Sequence, residues 1–384
     1  MAYKKRKSNF TRAKKVAKEI KKHPKGVVLV AFLLVVVLAL GYFIYTKFFS
    51  KIKGGEDYIT LSTVSGEISF HFLTLGNKTP GDCVYVKAGE TDILIDAGSE
   101  ESSAPLIKNY LDSRVTDGVL EFVIATHSDL DHIACFGMEG GIFDSYVCET
   151  IIDFPKTNHV AGNNSYGQYV QKRDNEILND NAKHYTALQC YNEEDGAKRS
   201  YNISENVTMN ILYNYYYENY SSSNNNYSVC LLFNHGGRKF LFTGDLQEAG
   251  EKRLVVNNNI GKVYVYKAGH HGSSTSSSST LLNEIKPEIC IFQCPVGTSK
   301  YGGENLDNRM PAKSVTDEII KHTTRCFATS IADEDFTNGK EVEDLNGNIE
   351  VVSKEDTIKV KCSNSATRLV DTEWYKLRRA NSSV

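Results

Sequence analysis

THSDLDH, residues 126–132, sets two histidines and two aspartates within seven positions, directly after the apolar run Phe122-Val123-Ile124-Ala125. The run predicts a buried strand that ends where the polar residues begin. Divalent cations are held by neutral imidazole nitrogens and ionised carboxylates, at about 2.0–2.2 Å for zinc. Four such donors on one tight loop converge only if the loop wraps around the ion. Taken alone, the segment reads equally well as a solvated, hydrogen-bonded turn.

Two further segments shift that balance. RKFLFTGD (238–245) puts Asp245 after a second apolar run and a glycine, and KAGHHGSSTSSS (267–278) puts His270 and His271 after a third, again at a glycine turn. Three strand-end loops thus carry metal-type donors. Layered sheet proteins gather sites at strand ends, because loops there converge while the strands stay rigid.

Outward from these motifs, strands are expected at 68–76, 83–87, 92–98, 119–126, 206–214, 227–234, 238–245 and 262–268, and helices at 103–114 and 246–255. YNYYYENYSSSNNNY (213–227) reads as a mobile surface loop, either simple filler or one whose aromatics contact a substrate. Neither it nor SSTSSSST (273–280) suggests a second domain.

The chain's 384 residues, 41% hydrophobic, can bury a large core. Residues 27–45 run without a charge, and at ~1.5 Å per helical residue they reach ~28 Å, about one hydrocarbon core. This predicts an uncleaved transmembrane anchor over 27–46. The preceding residues 1–26 carry eleven Lys or Arg against Glu19 alone, which keeps a basic tail in the cytoplasm and sends the rest outside the plasma membrane. A stalk over 47–67, a hydrolase domain over 68–365 and a tail over 366–384 complete the expected organisation. Beyond residue 50 there are 32 basic and 46 acidic residues, a formal charge of −14. Such a surface repels polyanions at long range and counts against a broad nucleic-acid footprint. All nine cysteines lie there too, several inside apolar runs, and read as small buried hydrophobes. Their odd number leaves at least one thiol outside any intrachain disulfide.

The ordered set FLTLGNKTPGDCVYVKAGETDILIDAG, ATHSDLDHIACFG, NNNYSVCLLFNHGGRKFLFTGDLQEAG, KAGHHGSSTSSS and NGNIEVVSKEDTIKV resembles the metallo-β-lactamase superfamily, and within it the hydrolase domain of the ComEC competence proteins. The resemblance implies an α/β (α+β) fold, a four-layer αββα sandwich, with two divalent metal ions, zinc or manganese, at one edge. Carried over by position, His127 and Asp129 serve one ion, Asp131 and His132 the other, and Asp245 bridges both. His271 completes the ligand set of the second ion, with His270 beside it as a supporting group or proton donor, although these two histidines could exchange roles. Asp96 is the buried carboxylate that orients the ligand loop.

The chain departs from the superfamily pattern where Asp129 replaces a more usual histidine, and where no further ligand histidine precedes Asp245. His159, His184 and His235 are the histidines of that interval, each more simply a surface or strand residue. Asn226 and Ser228 are neutral donors that could reach the site instead. A third departure, KYGGENLDNRMP (300–311), stands in place of a Tyr-Gly-His-Pro turn. The resemblance therefore points to hydrolysis by a water that the cations acidify, with Asp131, His270 and Asp245 in the catalytic group. Lys267, Lys300, Tyr301 and Arg309 are further candidates for anion binding or leaving-group protonation. The expected substrate is a small phosphodiester or nucleic acid. Another envelope or small-molecule ester, amide or lactone and a non-catalytic binding module are the alternatives. The membrane is the expected partner, and the sequence carries no signal from which a protein partner can be inferred.

Overall fold

The protein is described by a computed structural model covering residues 56–298, 306–332 and 342–380. The basic tail 1–26 and the apolar segment 27–46 lie outside the described residues, as do Lys300 and Tyr301. Among the described residues, no helix is long and apolar enough to cross a membrane.

Two mixed sheets build the domain. The first contains β1 (Glu56–Phe72), β2 (Val84–Ala88), β3 (Thr91–Ile95), β4 (Val119–Ile124), β5 (Val147–Asp153), β6 (Lys183–Thr186) and β15 (Ile349–Cys362), in the order β15-β1-β2-β3-β4-β5-β6. The second contains β7 (Ser200–Ser204), β8 (Val207–Ile211), β9 (Leu231–His235), β10 (Arg238–Phe242), β11 (Val265–Lys267), β12 (Ile289–Val296), β13 (Cys326–Ala332) and β14 (Val342–Asp344), in the order β14-β13-β12-β11-β10-β9-β8-β7. Pairing is parallel through β3-β4-β5-β6 and through β10-β11-β12-β13. Parallel strands need crossovers, and helices supply most of them. In the first sheet these are α1 (Ala104–Asp112), α2 (Leu130–Gly137) and α3 (Ser165–Asn179); α4 (Ala187–Asn192) follows β6. In the second they are α5 (Glu248–Asn257), α6 (Ser279–Ile285) and α7 (Lys313–Ile319), with α8 (Glu373–Ala380) closing the chain.

Side-chain alternation along the strands gives the layers. Phe240 and Phe242 of β10 join Phe70 and Phe233 in one core cluster, whereas Leu241 between them joins Leu254, Leu281 and Ile319 in the other. Successive strand residues point to opposite faces, so the phenylalanines lie between the sheets and Leu241 lies under the outer helices. Aromatic edges interlock there, with Phe70 and Phe233 centroids 5.2 Å apart at 79°. On the far face of β1, His71 Nδ1 lies 2.8 Å from the hydroxyl of Tyr110 in α1. Helix, sheet, sheet and helix are thereby stacked. Each fully buried aromatic or aliphatic side chain in these layers contributes about 1.5–3 kcal/mol.

Three expectations need correction. Residues 56–67, expected as stalk, extend β1, because β15 pairs with them from Glu56↔Lys361 to Glu67↔Lys354, with register shifts on either side of Val64. The tail after 365 is packed as well: Leu369 is buried in the outer core, and the Arg368 guanidinium meets Asp57 at 2.7 Å. The Tyr/Asn/Ser segment is not a loose loop. Tyr217 and Tyr227 are buried, Asn214 Nδ2 donates to the carbonyls of Asn226 and Ser228, and the Tyr217 hydroxyl accepts from Cys230 N. Polar side chains that satisfy one another leave a low-complexity segment ordered.

Candidate metal centre

The two runs of parallel strands point their carboxyl ends at one edge of the sandwich. There β3 delivers Asp96, β4 delivers the 126–132 loop, β10 delivers Asp245 and β11 delivers His270 and His271. Loops leaving the carboxyl ends of parallel strands commonly form binding sites in α/β sheets.

Asp245 is the hub. Its Oδ2 lies 3.2 Å from His132 Nε2, 3.4 Å from His271 Nε2, 3.6 Å from His270 Nε2 and 3.9 Å from His127 Nε2. Asp131 faces His271 Nε2 at 3.7 Å, and Asp129 faces His127 Nε2 at 3.8 Å. All eight residues expected at the site from sequence are therefore brought together, counting Asp96 behind His132.

Backbone geometry shows how tightly this is built. Asp96 sits at φ 57, and His270 and His271 at φ 50 and 54. The left-handed region is unfavourable for residues with a Cβ, by roughly 1–3 kcal/mol each. Hydrogen bonds hold these conformations: Thr126 N and Oγ1 both donate to Asp96, each at 2.7 Å, and His270 N donates to the carbonyl of Gly244 at 3.1 Å.

Two carboxylates stand behind two fully buried imidazoles of the site. Asp96 Oδ2 lies 2.7 Å from Nδ1 of His132, and Asp82 Oδ1 lies 3.0 Å from Nδ1 of His271. In each ring Nδ1 is turned to the supporting carboxylate and Nε2 to Asp245. Asp82 was not among the sequence candidates. It clusters with His132, Asp245 and His271, their potential donor atoms lying within 4.8 Å of one another. Yet its Oδ2 is 2.5 Å from the buried ammonium of Lys267 and its Oδ1 faces Nδ1 of His271. We assign it to orienting His271 rather than to holding the ion, because a cation beside Asp82 would also lie beside Lys267. The available sequence signal was the Gly81-Asp82 pair before a buried strand, the same dipeptide as Gly244-Asp245.

Electrostatics follow this geometry. Burial disfavours the charged forms of His132 and His271, but Asp245 with Asp96 in one case, and Asp245 with Asp82 in the other, outweigh it and raise both pKa values. Burial lowers the pKa of His127 and of His270. For Asp245, burial opposes ionisation, but the facing His132, His271 and His270 hold its carboxyl well below the usual range. Burial likewise disfavours the Lys267 ammonium, and Asp82 and Asp245 more than compensate.

His127 Nε2, His132 Nε2, His271 Nε2 and Asp245 Oδ1 are buried without a hydrogen-bond partner. Three orphaned nitrogens around one carboxylate, together with its own orphaned oxygen, are costly as a resting arrangement. They fit divalent cations, whose binding would satisfy all four.

Other sequence candidates lie differently. Lys267 is committed to Asp82. Asn226 Nδ2 donates to Ser221 Oγ at 2.9 Å, while Asn226 Oδ1 accepts from Gln247 N at 3.3 Å. Ser228 Oγ donates to Asn225 O at 2.7 Å and accepts from Asp245 N at 3.0 Å. Both brace the loops around Asp245 instead of supplying donors, because their polar atoms are already used. His184 pairs with Asp153 at 2.9 Å, and His235 lies 2.9 Å from Ser353 Oγ. His159 does reach the site, through Asp129. Arg309 lies just after the turn Leu306–Asn308.

Residues 76–185 match the Metallo-beta-lactamase superfamily. The ComE operon protein 3 of Bacillus subtilis (strain 168) is 31% identical over 28% of this chain and 13% of its own length. The Competence protein ComA of Neisseria gonorrhoeae is 39% identical over 21% of this chain and 12% of its own length. Recombination protein 2 of Haemophilus influenzae is 35% identical over 18% and 9%. The aligned stretches thus span about a tenth of these relatives. Among solved structures, the metallo-beta-lactamase fold protein YhfI from Bacillus subtilis aligns over 72% of this chain and 99% of its own, with 12% identity and a TM-score of 0.41. Human tRNase Z, short form, aligns over 59% and 92%, with 14% identity and a TM-score of 0.34.

Proposed function

We propose that this chain, which carries a metallo-beta-lactamase superfamily domain of the type found in ComEC competence proteins, is a metal-dependent phosphodiesterase anchored in the cell membrane by residues 27–46, with its hydrolase domain outside. The observation that carries the hydrolase reading is the set of orphaned imidazole nitrogens around Asp245. His127, Asp129 and Asp245 would hold one cation, and Asp131, His132, His271 and Asp245 the other. Bound there, two divalent cations acidify a water and stabilise charge on the attacking and leaving oxygens of a phosphodiester.

The chain's own residues do the rest. Asp96 and Asp82 fix the imidazoles of His132 and His271 so that Nε2 points inward. Asp245, held by Ser228 Oγ at its backbone nitrogen, presents its carboxylate between them. His270 has Nδ1 2.8 Å from Thr275 Oγ1 and Nε2 toward Asp245; burial favours its neutral form, so at Nε2 it would first take a proton from a water and then pass it to a leaving oxygen.

The relatives' names, which speak of competence and recombination, support a nucleic-acid-type phosphodiester. The excess of acidic residues beyond position 50 favours a short or small substrate over a long polyanion. That charge also motivates a second reading, an envelope ester, amide or lactone hydrolase.

The test is hydrolysis of bis-p-nitrophenyl phosphate, p-nitrophenyl acetate and a lactone by the full chain with manganese or zinc, against Asp245→Asn. Phosphodiester turnover that vanishes in the variant supports the proposal. Turnover confined to the acetate or the lactone selects the second reading, and none at all points to a binding module. Protease added to intact cells should remove the hydrolase domain, and full protection would overturn the outside placement.

A further inference from the structure

The two halves of the centre are supported unequally. Behind His132 and His271 stand Asp96 and Asp82, both buried. Asp129 is different, with a side chain 33% exposed, so water would leave its carboxylate free to rotate unless something held it. What holds it comes from two loops outside the ligand motifs. Asn224 Nδ2 donates to Asp129 Oδ1 at 2.9 Å, and His159 Nε2 lies 3.0 Å from the same oxygen. A carboxylate only accepts, so the imidazole donates here. Oδ2 is left turned toward His127 Nε2, 3.8 Å away.

The loop carrying His159 is itself pinned. Ser128 Oγ, in the ligand loop, lies 2.6 Å from Thr157 Oγ1, and Thr157 Oγ1 accepts from His159 N at 3.0 Å. Asn158 N donates to Asn224 Oδ1 at 2.8 Å, and Asn158 Nδ2 donates to Ser221 O at 3.0 Å. The two donors to Asp129 are thereby tied to each other and to the loop they act on. Groups behind a ligand commonly set metal affinity by 10–100-fold.

We propose that His159 and Asn224 form a two-donor clamp on Asp129, which leaves one oxygen for the cation held with His127 and builds that site from a half-exposed carboxylate. His159 is a positioning residue in this account. It acts through Asp129 and does not touch the ion. The inference rests on the two-cation reading above.

The test is calorimetric titration of the metal-free full chain with manganese, in wild type, His159→Ala, His159→Gln and Asn224→Ala, alongside thermal melting of each metal-free protein. Wild type should bind two ions. His159→Ala and Asn224→Ala should each weaken one binding event by about 10-fold or more, leaving the other event and the melting temperature unchanged. His159→Gln, which keeps an N–H donor in place of the imidazole, should bind much closer to wild type than His159→Ala does. Wild-type binding in both alanine variants would overturn the clamp while leaving two cations in place. Equal loss in His159→Gln and His159→Ala would make the imidazole a direct ligand and overturn the positioning role. Fewer than two ions in wild type would remove the two-cation reading and the clamp together.

Discussion

Asp82 stands behind His271, its Oδ1 3.0 Å from Nδ1 and its Oδ2 2.5 Å from the ammonium of Lys267, so that a buried ion pair and a histidine share one carboxylate. Asp96 serves His132 in the matching position at 2.7 Å, with Thr126 in place of the lysine. Imidazole orientation and core electrostatics are therefore coupled on one side of the centre only.

Asp82→Asn should separate these roles. Removing one partner of a buried ion pair costs about 3–5 kcal/mol, and loss of the supporting carboxylate should weaken cation binding about 10–100-fold. Adding Lys267→Met should recover much of the stability and none of the affinity. Denaturant melts and metal titrations read the two effects, and unchanged affinity in Asp82→Asn would refute the orienting role.

Gly244 permits the turn that aims Asp245. It sits at φ 51, and a Cβ there would lie 2.8 Å from Ser228 Oγ and 3.0 Å from Thr126 Cβ. Gly244→Ala should destabilise the fold by about 2 kcal/mol or more, combining overpacking with the left-handed backbone. A variant with wild-type stability and metal binding would contradict this account of the turn.

Glu251 gives a pH signature away from the metal. It is buried, and burial pushes its carboxyl up to about 7 although Ser277 N and Ser278 N donate to it at 2.6 and 2.7 Å. A carboxyl raised in the folded state stabilises fully below its unfolded value of 4.5 and loses that contribution as pH climbs through about 7. Relative to Glu251→Gln, which does not titrate, wild-type stability should fall by about 1.4 kcal/mol per pH unit across that window. Urea melts at pH 5 and pH 8 check it, and a pH-independent difference would show that the donors keep Glu251 ionised throughout.

All nine cysteines are buried and none is in a disulfide. Burial pushes Cys135, Cys294, Cys326 and Cys362 up to about 12. Thiol reagents should label the folded protein only as fast as it opens, and all nine sites should react in denaturant. Rapid labelling of several sites in the native protein would contradict this packing.

Much of the site was legible because its donors sit at strand ends inside short motifs. HSDLDH, Gly244-Asp245 and His270-His271 each follow an apolar run, and parallel pairing gathers run ends at one edge. For different reasons, Asp82 was not named, and the contact of His159 with Asp129 was not anticipated although His159 was named as a surface or strand histidine. Asp82 follows no parallel strand, and only the tertiary contact with Lys267 and His271 gives it a task. His159 acts across 30 residues of sequence through one hydrogen bond, which no local pattern encodes. The stalk reading of 56–67 failed because its polar, alternating residues pair with β15, and half-exposed edge pairing leaves little apolar signal. The Tyr/Asn/Ser segment looked loose because composition does not show that asparagine amides and tyrosine hydroxyls will satisfy one another.

The deciding measurement is metal content per chain, by elemental analysis after manganese or zinc loading and buffer exchange, in wild type and Asp245→Asn. Two ions are expected in wild type and at most one, weakly held, in the variant, because Asp245 Oδ2 is the atom all four imidazoles share. Wild type with fewer than two bound ions, or a variant that keeps both, would contradict the two-cation reading.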